Sequence, residues 1–290
     1  MEFDHFLGQA WDEHAGDAAG VAARLEQDGP RLADTEDRVA ALANLVHHVH
    51  GEHLGRWADG RALLQRLVAA PACPAGGTAA AAVARLLASL ELCAGGADTR
   101  AAMSASERIR VSALAAASLA QRDTARATAL LAAALAEAAS AGLDDSDPAH
   151  RALAVTANNL ACTLEEKTGR STAERELMIT AALAARRHWA LAGTWLETER
   201  AEYRLAMTWL QAGDPARARH HALQCLALVD ANAGPARERF FAHEALALAE
   251  RAAGHDDAAA QAVVQARADF AALDDGDRGW CQATLYKLAA

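Results

Sequence analysis

Small and large apolar residues recur along this chain at i, i+4 and i+7, the spacing that gathers them on one face of an α-helix. Gly60, Leu64 and Leu67 follow it, as do Ala127, Leu131 and Ala134, and Ala218, Ala222 and Cys225. A short polar punctuation precedes each run. "LGRWADGRALLQRL" (Leu54–Leu67), "TGRSTAERELMITAAL" (Thr168–Leu183), "AGDPARARHHALQCL" (Ala212–Leu226) and "AGHDDAAAQAVVQA" (Ala253–Ala266) all set a glycine between two helical patterns. Glycine takes the left-handed conformation that closes a helix, and a polar residue or proline opens the next, as Asp214 and Pro215 do. In "AQRDTARATALLAAAL" Arg122 holds the turn without a glycine. Ser104 with Glu107, Ser171 with Glu174 and Thr194 with Glu197 are spaced as capping boxes, and Asp147 before Pro148 reads as an N-cap and first helical residue. The pattern predicts one helical hairpin written several times.

Composition strengthens that expectation. The chain of 290 residues is 52% apolar but only 4% aromatic, so its hydrophobic content is mainly alanine and leucine, good helix formers and poor strand formers. An all-α fold is expected, as one extended domain or two compact ones. A formal charge of -10 argues against nucleic acid, whose phosphates call for a cationic stripe. Five scattered cysteines (Cys73, Cys93, Cys162, Cys225, Cys281) form no CxxC pair, which suggests neither a disulfide framework nor a thiolate zinc site. The acidic start "MEFDHFLGQAWDEH" is unlike a secretory signal, and no uncharged apolar run approaches about 18 residues. These features predict a soluble, cytoplasmic chain without a membrane partner. "DDSDP" and "DDGDRG" lack the alternating ligands of a calcium loop, and no GxSxG, phosphate loop or GxGxxG is present, so no cofactor is expected.

The hairpin phrase resembles the tetratricopeptide repeat family. In "EYRLAMTWLQAGDPARARHHALQCL" the Leu-small pair falls on Leu205 and Ala206, the aromatic on Trp209, the turn on Gly213 and the small residue of the second helix on Ala218. "VTANNLACTLEEKTGRSTAERELM" is similar to the kinesin-light-chain subtype, with one extra residue between Ala161 and Gly169. Leu114-Ala115 and Leu246-Ala247 take the Leu-small pair of their own units. The resemblance implies a right-handed α-α superhelix of about seven hairpins, and the chain departs from the family in spacing its turns by about 40 to 45 residues instead of about 34. It divides the chain into degenerate hairpins over 1-103, better-matched repeats over 104-273 and a capping helix over 274-290. "APACPAGGT" (Ala70–Thr78) and "AGLDDSDP" (Ala141–Pro148) are the two candidate breaks.

"HHVHGEHLGRW" (His47–Trp57) holds four histidines and a glutamate, the raw material of a metal site. A helix leading to Gly55 is expected from about Thr35, with Val39, Leu42, Val46 and Val49 as its apolar stripe. At roughly 100° per residue, His53 falls near the middle of that stripe, His50 on its edge and His47 further round, while His48 points to the opposite face. His47, His50 and His53 are the metal candidates on this reading, and neither HExxH nor HxxEH is present. The alternative is an exposed His48–Glu52 pair, with His50 and His53 partly buried and hydrogen-bonded across the hairpin.

In the resembling family the first helices of successive hairpins line a concave groove that grips an extended peptide, with asparagines bonding its backbone. Carried over, this implies a site at Asn158 and Asn159 in one unit. Arg200, Tyr203, Arg204, Met207 and Gln211 come in the next, then Phe241, Glu244, Leu248 and Arg251. The expected function is a non-catalytic, bacterial-type scaffold or adaptor that binds a protein or peptide segment, with a homodimer also open. Two rivals stand beside it: a sensor for a peptide or small molecule, and a metal-dependent helical enzyme centred on His47, His50 and His53.

Overall fold

The computed structural model describes residues 2–289, and among these there is no strand. The chain divides into two compact units, one ending at Leu143 and the other starting at Asp144, inside the loop Ala141–Pro148. The stretch Ala70–Thr78 instead links two helices within the first unit. None of the described helices is long and apolar enough to cross a membrane.

The first unit contains α1 (Phe3–Glu13), α2 (Ala18–Gln27), α3 (Gly29–Leu32), α4 (Glu36–Val46), α5 (Trp57–Val68), α6 (Thr78–Cys93), α7 (Ala105–Leu119) and α8 (Thr124–Ser140). Between α4 and α5 the chain runs on as a π-helical segment, His47–His53. Val39, Leu42, Val46 and Val49, the predicted stripe, are all fully buried, together with Leu25, Leu45, Leu64, Leu67 and Leu90. The π segment lies at the middle of the unit, against α2, α4, α5, α6 and α7. Two glycines let it in so closely. A Cβ on Gly51 would stand 3.0 Å from Leu90, and one on Gly60 would stand 2.9 Å from the Cβ of His50.

The second unit contains α9 (Pro148–Glu166), α10 (Thr172–Ala192), α11 (Trp195–Ala212), α12 (Pro215–Ala231), α13 (Ala236–Ala252), α14 (Asp256–Ala271) and α15 (Asp275–Ala289). Each helix packs on the next, and the odd-numbered members α9, α11, α13 and α15 also touch one another in sequence. This order of neighbours is solenoid-like. The seams are narrow because small residues line them: Ala206, Ala222 and Ala245 form one buried cluster. The predicted caps are in place except that the Ser104 box closes on one side only, since the Glu107 carboxylate is taken by Arg85 and Arg110. Ser171 with Glu174 and Thr194 with Glu197 close reciprocal capping boxes, and Asp147, Ser104 and Asp214 each accept an N–H of the helix they open. Gly213 ends α11 at φ +81°, a conformation that L side chains rarely adopt.

The tight seat of Gly60 gives the fold a signed test. Gly60→Ala is expected to lower stability by about 1–3 kcal/mol through overpacking against His50. Gly8→Ala, inside α1 with nothing within 4 Å of the added carbon, is expected to raise stability by about 0.5–1 kcal/mol. Urea-unfolding midpoints should move in opposite directions, and a neutral Gly60→Ala would contradict the packing.

Candidate functional site

The odd-numbered helices of the second unit border an open cleft of about 770 Å³. Helix periodicity sets its lining. Glu199, Arg200, Tyr203 and Arg204 fall on one face of α11, Arg237, Glu238 and Phe241 on one face of α13, and Asp277 and Trp280 on α15, with Asn158 reaching in from α9. Aromatic rings step across three helices. Tyr203 meets Phe241 edge-on at 5.8 Å between centroids, and Phe241 meets Trp280 at 5.3 Å. Trp280 remains 68% exposed, the outer end of this ladder.

Beside the aromatics runs a band of ion pairs. The guanidinium of Arg200 donates to both carboxylate oxygens of Glu238, at 2.7 and 3.3 Å, yet the Arg200 side chain is half exposed. Arg237 donates to Asp277 at 3.0 Å and to Glu238. Arg204 donates to Glu165, which also accepts from Thr208, and the Tyr203 hydroxyl donates to Glu244 at 3.0 Å. Glu199 differs from these acids. It is 1% exposed, and its Oε1 has no hydrogen-bond partner among the described residues. Burial, reinforced by the nearby Glu238 carboxylate, pushes its carboxyl up to about 8, so it keeps its proton at neutral pH. Burial likewise raises Glu244 to about 7, against the opposing hydrogen bond from Tyr203. The cleft therefore offers protonated acid, ion-paired guanidinium, amide and aromatic face within one opening.

Five of the eleven residues expected in a groove line this cleft: Asn158, Arg200, Tyr203, Arg204 and Phe241. Glu244 stands behind Tyr203 as its acceptor. Gln211 accepts from Arg170 and Arg251 donates to the carbonyl of Leu288, so both brace neighbouring elements, and Leu248 packs into the apolar cluster around Phe240. Asn159 and Met207 are outside the lining, Asn159 on the exposed surface and Met207 partly buried. The groove reading missed Glu199, Arg237, Glu238, Asp277 and Trp280. A signal for them existed. The side chains that pair across the cleft lie 38 to 41 residues apart, so stepping the repeat forward from Arg200, Arg237 and Phe241 arrives at Glu238, Asp277 and Trp280.

The histidine run is arranged differently from the expected helix. His47 is buried with its Nε2 3.0 Å from the Ser89 hydroxyl, and His50 is fully buried with neither ring nitrogen hydrogen-bonded among the described residues. His53 is exposed at the far end of the segment. His47, His50 and His53 are thus not gathered, and His50 and His53 make no bond across the hairpin. The cause is the π register. The Leu54 N–H bonds the carbonyl of Val49, five residues back, so positions i and i+5 share a face and His48 comes round to His53, at 3.1 Å between Nε2 atoms. The expected His48–Glu52 pair forms at 3.0 Å, partly buried instead of exposed. Arg122, at the turn that lacks a glycine, donates to the carbonyls of Glu52 and His53 at 2.8 and 2.7 Å and holds the end of the segment.

Glu199 also gives the cleft a pH signature. Its folded value near 8 lies above the ordinary 4.5, so the folded chain holds the proton more tightly than the unfolded chain. Stability contributed by this group is complete below about pH 4.5 and is lost as pH rises toward 8. Glu199→Gln keeps the shape and removes the ionisation. Between pH 5 and 8 its unfolding free energy is expected to gain on that of the wild type by on the order of a few kcal/mol. A gap that stays flat across that window in urea titrations would remove the linkage. In comparisons with known proteins, the chain matches no family model, no curated protein and no solved structure.

Proposed function

We propose that the chain is a non-catalytic binding scaffold whose second unit takes an extended peptide segment of a protein partner in the cleft between α9, α11, α13 and α15. The hairpins of that unit are read as tetratricopeptide-like, wound as a right-handed superhelix with α15 as its cap. Five cysteines without a disulfide suit a reducing cytoplasm.

The observation that carries this reading is the repeated face. Residues about one repeat apart on four successive odd-numbered helices converge on one opening, where an aromatic ladder runs beside half-exposed arginine. A peptide laid along it meets Phe241 and Trp280 with its apolar side chains. Arg200, released from Glu238, turns to a carbonyl or carboxylate, and the Asn158 amide supplies a donor and an acceptor to the backbone. Among the described residues the amide is held by a 3.5 Å contact to Asn159 and a 3.7 Å contact to the Cys162 thiol, so little there competes with a ligand for it.

A peptide-display selection on the full chain, repeated with Arg200→Ala and Trp280→Ala, tests the proposal. Peptides enriched by the wild type are expected to lose at least about 10-fold in affinity to each variant, since aromatic and arginine anchors dominate such contacts. Circular dichroism confirms that the variants are folded. Selected peptides that bind both variants as tightly as the wild type would place the site elsewhere.

A further inference from the structure

A histidine cluster lies within the first unit. The π segment brings His48 and His53 together, and His14, just past the end of α1, completes a cluster. The Nε2 of His48 is 3.2 Å from that of His14 and 3.1 Å from that of His53, and the three ligand atoms all lie within 4.8 Å of one another. Four nitrogens around a tetrahedral zinc, at about 2.0–2.1 Å from the metal, stand about 3.3–3.4 Å apart.

The other ring nitrogens fix the tautomers. His48 Nδ1 is 3.0 Å from a Glu52 carboxylate oxygen, and His14 Nδ1 lies within hydrogen-bond reach of the Trp11 carbonyl. A carbonyl only accepts, and so does a carboxylate, so both Nδ1 atoms carry the hydrogen and donate it. In neutral imidazoles that leaves both Nε2 atoms bare. Two lone pairs then face each other at 3.2 Å, and His53 with its single hydrogen can relieve at most one of the contacts. A shared cation relieves all of them. We propose that His14, His48 and His53 form a three-nitrogen site for a divalent transition metal of the zinc class. An all-imidazole donor set suits zinc, nickel, cobalt or copper and does not suit calcium or magnesium, which take oxygen ligands.

The surroundings match this assignment. Glu52 on His48 and the Trp11 carbonyl on His14 are the outer partners that orient metal-bound imidazoles and raise their basicity. The Trp11 indole packs against both rings at 5.3 Å and walls one side. His53 is exposed, so the cluster reaches the surface. A bound ion would tie α1 to the π segment, across 34 residues of sequence.

The test uses the full chain, stripped with chelator and titrated with zinc chloride by calorimetry and with cobalt(II) by visible absorption. One metal per chain is expected, with the intense cobalt bands of a tetrahedral site and a melting temperature that rises with zinc concentration. His53→Ala, an exposed change, and His14→Gln should each weaken binding at least about 100-fold, and Glu52→Gln by about 10- to 100-fold. His220→Ala, at an exposed histidine outside the cluster, should bind as the wild type does. If the wild type holds zinc no more tightly than His53→Ala and His14→Gln, the three rings share a proton and the metal site is refuted.

Discussion

Narrow seams between alanine-lined helices are the constraint on which the rest of this structure depends. With few aromatics to fill space, the helices exclude water only by approaching closely, and Ala206, Ala222 and Ala245 show how little separates them in the second unit. Close approach has an electrostatic consequence, because long acidic side chains at the seam edges are drawn out of water. Five glutamates are buried there among the described residues: Glu174, Glu199, Glu202, Glu238 and Glu250. A buried carboxylate is tolerated when cations and N–H groups satisfy it. Lys167 serves Glu174, Arg186 and His221 serve Glu202, Arg200 and Arg237 serve Glu238, and Arg219 and His255 serve Glu250. Glu199 and Glu238 both border the cleft, and of the two it is Glu199 that keeps an oxygen without a hydrogen-bond partner among the described residues.

The helix faces were legible in the sequence because they obey a single period. Gly60, Leu64 and Leu67, or Ala218, Ala222 and Cys225, need no knowledge of neighbours to be placed inward, and all six are buried. Helix ends were legible for the same reason, since a cap such as Ser171 with Glu174 is satisfied within one turn. The cleft was legible only in half. Arg200 and Phe241 could be placed on the right face, but their partners sit on helices two elements away, where only the repeat spacing relates them. Glu238 looks from sequence like an acidic residue in the first turn of a helix, and it is the hub of two arginines.

The histidine run shows where a period misleads. At 3.6 residues per turn His48 opposes His53, and in the π segment they touch. The register coincides with Gly51 fitted against Leu90 and Ser118 and Gly60 against His50, so the close seam and the altered turn occur at one place. A regular helical period places the buried stripe from Val39 to Val49 correctly and then puts His53 on the wrong face.

Unsatisfied polar groups occur in each of the two units, but burial alone does not single out a site. His50 has two ring nitrogens without hydrogen bonds among the described residues, yet it is sealed in the core with its Cβ pressed toward Gly60, and burial lowers its affinity for a proton. The Glu26 carboxylate comes only to 3.7 Å from its Nε2, too far for a hydrogen bond, so the missing bonds act on stability. Glu199 lies in the wall of the cleft, although its own free oxygen is buried, and the His14–His48 contact adjoins the exposed His53. An unmet group at an opening can be completed from outside, and the gain falls to whatever completes it. Position beside an opening, more than any difference in residue type, separates the two candidate sites from His50.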